Sequence, residues 1–201
     1  MYIHSDGPVT VRNMKETPED CSFAGRLAIE AFRSKFVHVT SERSIPTVIK
    51  CSEKSQYRQD PVFYQRNFIA EYNGEKAGLM MLKYNGDPEE RDNDAWNALG
   101  CCDTLGLCCL GICLSSSVSK GKCYLDHICV DERFRGKGIG KVLMTVGENE
   151  ARRNGCRSIY LYVSSTNRAK NLYERQGYRV KGEESCCCFI YCCTGEKVCF
   201  I

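Results

Sequence analysis

Seven residues, Arg135-Gly136-Lys137-Gly138-Ile139-Gly140-Lys141, limit what this chain can become. Three glycines alternate with cations where a strand-like run gives way to a helix-like one. Upstream, Lys122–Val130 carries apolar residues on both faces, as a strand in the middle of a sheet does. Downstream, Ile139, Val142, Leu143 and Val146 make one apolar stripe at helical spacing. Glycines let the backbone approach a ligand closely and turn consecutive N–H groups toward it. A helix N-terminus adds its positive dipole end, and Arg135, Lys137 and Lys141 add full charges. Such a loop suits a pyrophosphate; the plainer alternative is an ordinary glycine-rich turn. The Walker spacing G-x-x-x-x-G-K-[ST] is absent. The dinucleotide fingerprint G-x-G-x-x-G also fails, because Gly136-Lys137-Gly138 is followed by Ile139-Gly140-Lys141.

A second unit follows. Ser158–Val163 reads as a strand. Asn167–Gln176 reads as a helix with Ala169, Leu172 and Tyr173 on one face and Gly177 as its stop. Tyr178–Lys181 begins another strand. Toward the N-terminus, Val9–Asn13 reads as a strand. Thr17 is an N-cap with Pro18 at the first helical position and Glu19 and Asp20 in the first turn. Ala24, Leu27, Ala28, Ala31 and Phe32 make that helix amphipathic. Thr40–Asp60 is polar, broken by prolines, and has room for a short helix. Asn67–Tyr72 and Lys76–Tyr84 flank Asn73-Gly74, a strong hairpin signal.

At 201 residues the chain is expected to form a single domain spanning 1–201. Hydrophobic residues make up 43%, enough for a core and too many for a disordered chain. The balance of 28 Lys+Arg against 25 Asp+Glu, +3, argues against a nucleic-acid binder. No apolar run is long enough to span a bilayer. Met1–Lys15 lacks the apolar stretch of a signal peptide, so a cytoplasmic protein is expected.

Sixteen cysteines stand out. Cys101, Cys102, Cys108, Cys109 and Cys113 form one cluster, and Cys186, Cys187, Cys188, Cys192 and Cys193 another. A reduced compartment disfavours disulfides. Zinc is disfavoured because His4, His38 and His127 lie outside both clusters. Buried cysteine packs as a small hydrophobe, and that role is expected for both clusters. S-acylation with peripheral membrane contact is the alternative. The first cluster lies in an apolar insertion, Ala95–Ser116, with Trp96, Leu99, Leu105, Leu107, Leu110, Ile112 and Leu114. It is expected to form one or two short helices whose leucines face the protein and whose cysteines fill small gaps.

In order and motif, the chain resembles the GNAT acetyltransferase superfamily. Arg135–Gly140 matches that family's Arg/Gln-x-x-Gly-x-Gly/Ala loop, and Asn167–Tyr178 matches its second motif; together the motifs occupy 122–178. The resemblance implies an α/β fold: a mixed, mostly antiparallel sheet of about six or seven strands with helices on both faces. The insertion Ala95–Ser116 between the third and fourth strands and the run Cys186–Cys193 depart from the family's pattern. It implies acetyl-CoA as co-substrate and no metal. A bulge in the strand Lys122–Val130 would open a gap, and Ile128, Cys129 and Val130 would meet the pantetheine arm. Arg135, Gly136, Lys137, Gly138, Ile139, Gly140 and Lys141 would hold the pyrophosphate. Asn167 would bond the cofactor arm, and Tyr173 would protonate the leaving thiolate.

For the general base the resemblance favours Asp126, read as half-buried with a raised pKa and as sharing a face with Tyr124 and Ile128. His127, on the opposite face, and Tyr124 and Tyr162 are the other candidates. The implied activity is acetyl transfer to a primary amine, on a small molecule or on a protein N-terminus or lysine. The competing reading is a catalytically weak binding module of the same fold, tethered to a membrane through acylated cysteines.

Overall fold

The computed structural model describes residues 3–58, 60–88, 98–114, 117–164, 167, 169–184 and 198–200. The chain opens with β1 (Ile3–Asp6) and β2 (Val9–Asn13), then α1 (Pro18–Ala31), α2 (Arg33–Val39), α3 (Ile45–Ser55) and α4 (Pro61–Arg66). The hairpin β3 (Asn67–Tyr72) and β4 (Glu75–Tyr84) follows, then α5 (Cys101–Leu114), β5 (Lys122–Val130) and α6 (Ile139–Arg153). The last elements are β6 (Ser158–Tyr160), β7 (Tyr162–Ser164), α7 (Lys170–Arg175), β8 (Gly182–Glu184) and β9 (Val198–Phe200).

Strands β1 to β6 lie in chain order in one sheet. Every neighbouring pair is antiparallel except β5 and β6, which are parallel. Strands β7, β9 and β8 form a separate antiparallel sheet. Helices cover both faces of the larger sheet, as the resemblance implies. Val11, Phe68, Met80, Leu82 and Leu125 meet Ile139, Leu143, Met144 and Val146 of α6 on one face. Ile69, Leu79, Met81 and Cys129 meet Phe23, Ala24 and Leu27 of α1 and Phe63 and Tyr64 of α4 on the other.

The start of α1 is fixed electrostatically. Thr17 Oγ1 accepts from the Asp20 N–H, as expected of the cap. Asp20, 2% exposed, takes two hydrogen bonds from Arg12 at 2.6 and 3.0 Å and an ion pair from Lys76 at 2.8 Å. The Lys15 N–H donates a further bond at 2.9 Å. Burial alone would raise the Asp20 pKa, but these donors outweigh it and bring it to about 2. One carboxylate thereby ties α1 to β2 and β4.

Among the described residues the insertion contains one fourteen-residue helix, α5, between β4 and β5. It comes one strand later than expected because β1 precedes the first strand read from sequence. Leu99 and Leu107 pack toward Ile29, Ile45 and Val48. Asp103 accepts from Ser44 Oγ at 2.6 Å. A Cβ at Gly106 would stand 2.0 Å from the Val39 carbonyl oxygen, so only glycine lets α5 lie this close to α2. The gap-filling role expected for the cysteines does not hold where it can be read: Cys101, Cys102 and Cys108 are exposed, beside Leu105 at 66%. At helical spacing Cys101, Leu105 and Cys108 lie away from the Gly106 direction that meets α2, whereas Cys102, one turn before Gly106, is exposed near that face. Trp96 and the second cysteine cluster lie outside the described residues, as do the side chains of Cys109, Ile112, Cys113 and Leu114.

Two further readings change. Ser158–Val163 is two strands separated at Leu161, each in its own sheet. Tyr178–Lys181 is not a strand; β8 begins at Gly182.

Candidate active site

Strands β5 and β6 pair over only three positions: Lys122 with Ser158, Cys123 with Ile159 and Tyr124 with Tyr160. Leu161 ends β6, and the next three residues join β9 instead. Beyond Tyr124 the two strands part. On that side, residues 125–130 of β5 have no strand partner among the described residues. Their peptide groups there are available to a ligand, as unpaired strand edges are. Ile128, Cys129 and Val130 lie in this stretch.

A bulge accompanies the parting. Against β4, Leu82 pairs with Leu125 and Met81 with His127, which leaves Asp126 as the extra residue. A bulge places two residues against one and re-aims their side chains. Leu125 belongs to the α6 face and Cys129 to the α1 face, so the pleat has changed phase between them. Asp126 and His127 therefore do not point to opposite faces, as an unbroken pleat would have them. His127 Nδ1 and Asp126 Oδ2 are 2.9 Å apart. Ile128 packs with the α6-side core and does not share a face with Asp126 in the way the unbroken alternation gives.

Lys83 of β4 completes the group, its Nζ 2.8 Å from Asp126 Oδ1. The expectation of a raised Asp126 pKa is overturned. Burial pushes it up, but the hydrogen bond with His127 and the charge of Lys83 hold it well below the usual carboxylate range. Such a carboxylate is a weak base near neutral pH. Sequence reading passed over Lys83; its signal is a cation on the β4 face that alternation assigns to Met81 and Leu79.

Beside these residues stands an aromatic group. The rings of Tyr124 and Tyr160 stack at 5.1 Å, and Tyr162 meets them edge-on at 5.8 and 6.3 Å. Val118 packs with them. Burial raises the Tyr160 pKa.

The glycine loop sits at the start of α6. Gly136 and Gly138 have φ of 78° and 81°, the left-handed region that side chains rarely adopt. Gly138 is the N-cap and offers no side chain to the first helical N–H groups. Those of Ile139, Gly140 and Lys141 belong to the turn that an α-helix cannot satisfy internally. A Cβ built on Gly136 or Gly138 meets nothing within 4 Å, so it would project into the space in front of the loop. Arg135, Lys137 and Lys141 are exposed. Lys137 Nζ lies 4.6 Å from the centre of the Tyr72 ring.

Helix α7 begins at Lys170, later than read from sequence, and Gly177 follows it with φ 88°. Asn167 Oδ1 accepts from the Ala169 N–H at 2.9 Å, so part of its side chain serves the turn into α7. Tyr173 is 5% exposed, within the core formed with α6. Burial first, and then the nearby Cys129, raise its pKa. Leu172 lies 3.0 Å from a Cβ placed on Gly140, which brings α7 against the first turn of α6. Glycine loop, α7 and the open side of β5 thus meet at one end of the sheet.

Residues 33–178, more than half of the chain, match the family model described as "Acetyltransferase (GNAT) family". The chain is 38% identical over 66 residues to spermine/spermidine N(1)-acetyltransferase of Bacillus subtilis, a stretch covering 32% of this chain and 43% of that protein. It is 42% identical over 60 residues to the chloroplastic GCN5-related N-acetyltransferase 4 of Arabidopsis thaliana, covering 29% of this chain and 21% of that protein. The chain thus aligns with less than half the length of these curated relatives. Among solved structures, an N-acetyltransferase from Staphylococcus aureus Mu50 superposes with a TM-score of 0.64 at 19% identity, over 94% of this chain and 97% of that one. The PaiA N-acetyltransferase of Thermoplasma acidophilum, crystallised with coenzyme A, gives 0.60 at 16% identity over 96% and 97%. At such identities the superpositions speak for the fold, and the family model carries the assignment: this chain belongs to the GNAT family of acetyltransferases.

Proposed function

We propose that this protein transfers an acetyl group from acetyl-CoA to a primary amine by direct attack on the thioester. One observation carries the reading: the parting of β5 from β6 opens onto the glycine loop at the start of α6, with Tyr173 buried between. The N–H groups of Gly136 to Lys141 would hold the pyrophosphate, with Arg135, Lys137 and Lys141 around it. The free edge of β5 at Ile128, Cys129 and Val130 would bond the pantetheine amides, and Asn167 the arm beside them. Tyr173, kept protonated by burial, would give its proton to the departing thiolate.

The acceptor would enter on the face of Tyr124, Tyr160 and Tyr162. Tyr124 and Tyr160 are buried in their stack and Tyr162 is the partly exposed ring, whose aromatic surface suits a cationic aliphatic amine, because a ring face attracts a cation. The name of the Bacillus relative, a spermine/spermidine acetyltransferase, accords with that class. A protein N-terminus or lysine presents the same chemistry. Neither metal nor nucleic acid has a part in this reaction.

A second reading rests on α5. Cys101, Cys102, Leu105 and Cys108 expose thiols and apolar surface together, which fits acylation and peripheral membrane contact. No helix among the described residues is long and apolar enough to cross a membrane.

A panel of amines with acetyl-CoA, followed by thiol release, tests the proposal. Release that depends on a polyamine, a diamine or a peptide amine supports it and names the acceptor. Acetyl-CoA binding with no release for any amine supports the binding-module reading instead.

A further inference from the structure

The bulge in β5 makes a three-residue array that sequence reading did not foresee. Lys83 holds one oxygen of the Asp126 carboxylate at 2.8 Å, and His127 Nδ1 holds the other at 2.9 Å. An ionised carboxylate only accepts hydrogen bonds, so the proton between the two residues belongs to Nδ1. In the neutral imidazole the lone pair then sits on Nε2. That atom is buried and has no hydrogen-bond partner among the described residues. A buried polar atom in this condition is rare in folded proteins and asks for an explanation.

We propose that His127 Nε2 takes the proton from the attacking amine, with Asp126 as the positioning residue that fixes the tautomer and Lys83 as the residue that fixes Asp126. This inference rests on the acetyl-transfer reading above. The neutral amine nitrogen forms a bond to the thioester carbon as the carbon–sulfur bond breaks. One N–H proton passes to Nε2, and the sulfur leaves as thiolate, to be protonated by Tyr173. As the products leave and water enters the gap, the imidazolium, facing the Asp126 carboxylate, gives its proton to that water, and Tyr173 regains one from it. The products are the amide and free coenzyme A.

The surroundings leave this role to His127. Lys83 is the cation that β4 contributes next to Asp126. On β5, burial pushes the Cys129 thiol up to about 12, so it stays neutral. Tyr124, three residues before His127 on β5, pairs with Lys83 of β4, with Tyr160 and Tyr162 across the parting. On α1, Arg26 and Glu30 act on Asp131 and Arg133. On α5, Asp103 is bonded to Ser44.

The test compares His127→Gln, Asp126→Asn and the parent protein. Calorimetry with acetyl-CoA first checks that each folds and binds. For His127→Gln, kcat/KM should fall about 10²- to 10⁴-fold, and the acidic limb of its pH profile should vanish. Asp126→Asn should lower kcat while keeping a displaced acidic limb, because His127 remains. Nitrogen-15 NMR of the imidazole should find the proton on Nδ1 in the parent and redistributed in Asp126→Asn. His127→Gln within about threefold of the parent, acidic limb intact, would overturn the proposal, as would a proton on Nε2. No thiol release by the parent with any amine would instead overturn the transfer reading on which the proposal stands.

Discussion

Tyr124 and Tyr160 are the last paired residues of β5 and β6, and their rings stack 5.1 Å apart on the side away from α6. The stack closes the paired end of the two strands just where the gap begins. It therefore sits at the foot of the gap, next to the Lys83, Asp126 and His127 array. A cation bound against these rings would hold its amine close to the reacting carbon.

The aromatic group predicts a loss confined to the acceptor. Tyr162→Ala should raise KM for a cationic amine about 5- to 10-fold, the range of a single cation–π contact, with acetyl-CoA affinity unchanged. Tyr162→Phe should recover most of the loss. Steady-state kinetics with both substrates varied separates the two effects. An unchanged KM in Tyr162→Ala would leave the ring a packing residue.

Tyr173 predicts a loss confined to turnover. Tyr173→Phe keeps the ring in the core with α6 and removes the donor. The rate should fall about 10²-fold or more, with little change in acetyl-CoA affinity. Equal turnover in the two proteins would make Tyr173 a core aromatic alone.

Asp20 predicts part of the acid sensitivity of the fold. Its pKa is lowered from 3.8 to about 2 on folding, so the folded state favours the ionised form. The unfolded chain then binds the proton more readily, and stability falls as the pH drops from about 4 toward 2. A tenfold difference in proton affinity is worth about 1.4 kcal/mol, so full protonation removes on the order of 2 kcal/mol. Asp20→Asn should be less stable at pH 7 and lose less than the parent between pH 5 and pH 2, as read by urea unfolding at each pH. Parallel curves for the two proteins would contradict the assignment.

Much of this was open to sequence reading because local rules and tertiary structure agree. Thr17-Pro18 starts a helix, Asn73-Gly74 turns a hairpin, and Arg135–Gly140 joins a strand to a helix. In each case the residues that fix the backbone lie within a few positions of one another. The break of Ser158–Val163 at Leu161 was not legible, since it depends on β9, more than thirty residues away. The Asp126–His127 pairing was hidden by the bulge: alternation assigns neighbours to opposite faces, and nothing near Asp126 marks the extra residue. Lys83 acquires meaning only once β4 lies beside β5. The strand β1 was missed as a short polar run whose pairing with β2 carries it.

The docking of α5 makes a prediction about stability. Gly106→Val would drive a side chain into the Val39 carbonyl and lift the helix from α2. A loss of about 1–3 kcal/mol is expected, the usual range for overpacking. Gly100→Val, where a Cβ meets nothing within 4 Å, is the control. Equal thermal stability for the two variants would mean that α5 does not rest on α2. In the native protein, replacing Cys101, Cys102 and Cys108 by serine should remove three thiols accessible to a thiol reagent, because all three are exposed.

The cofactor cradle is tested most directly by calorimetric titration of acetyl-CoA into the parent protein and Gly138→Val. A side chain at φ 81° is strained, and its atoms would enter the space in front of the loop where the pyrophosphate is assigned. The parent should bind one acetyl-CoA per chain, and a folded Gly138→Val should bind at least about tenfold more weakly, a loss of about 1.4 kcal/mol. Equal affinity in the two folded proteins would contradict the cradle and, with it, the placement of acetyl-CoA between the parted strands.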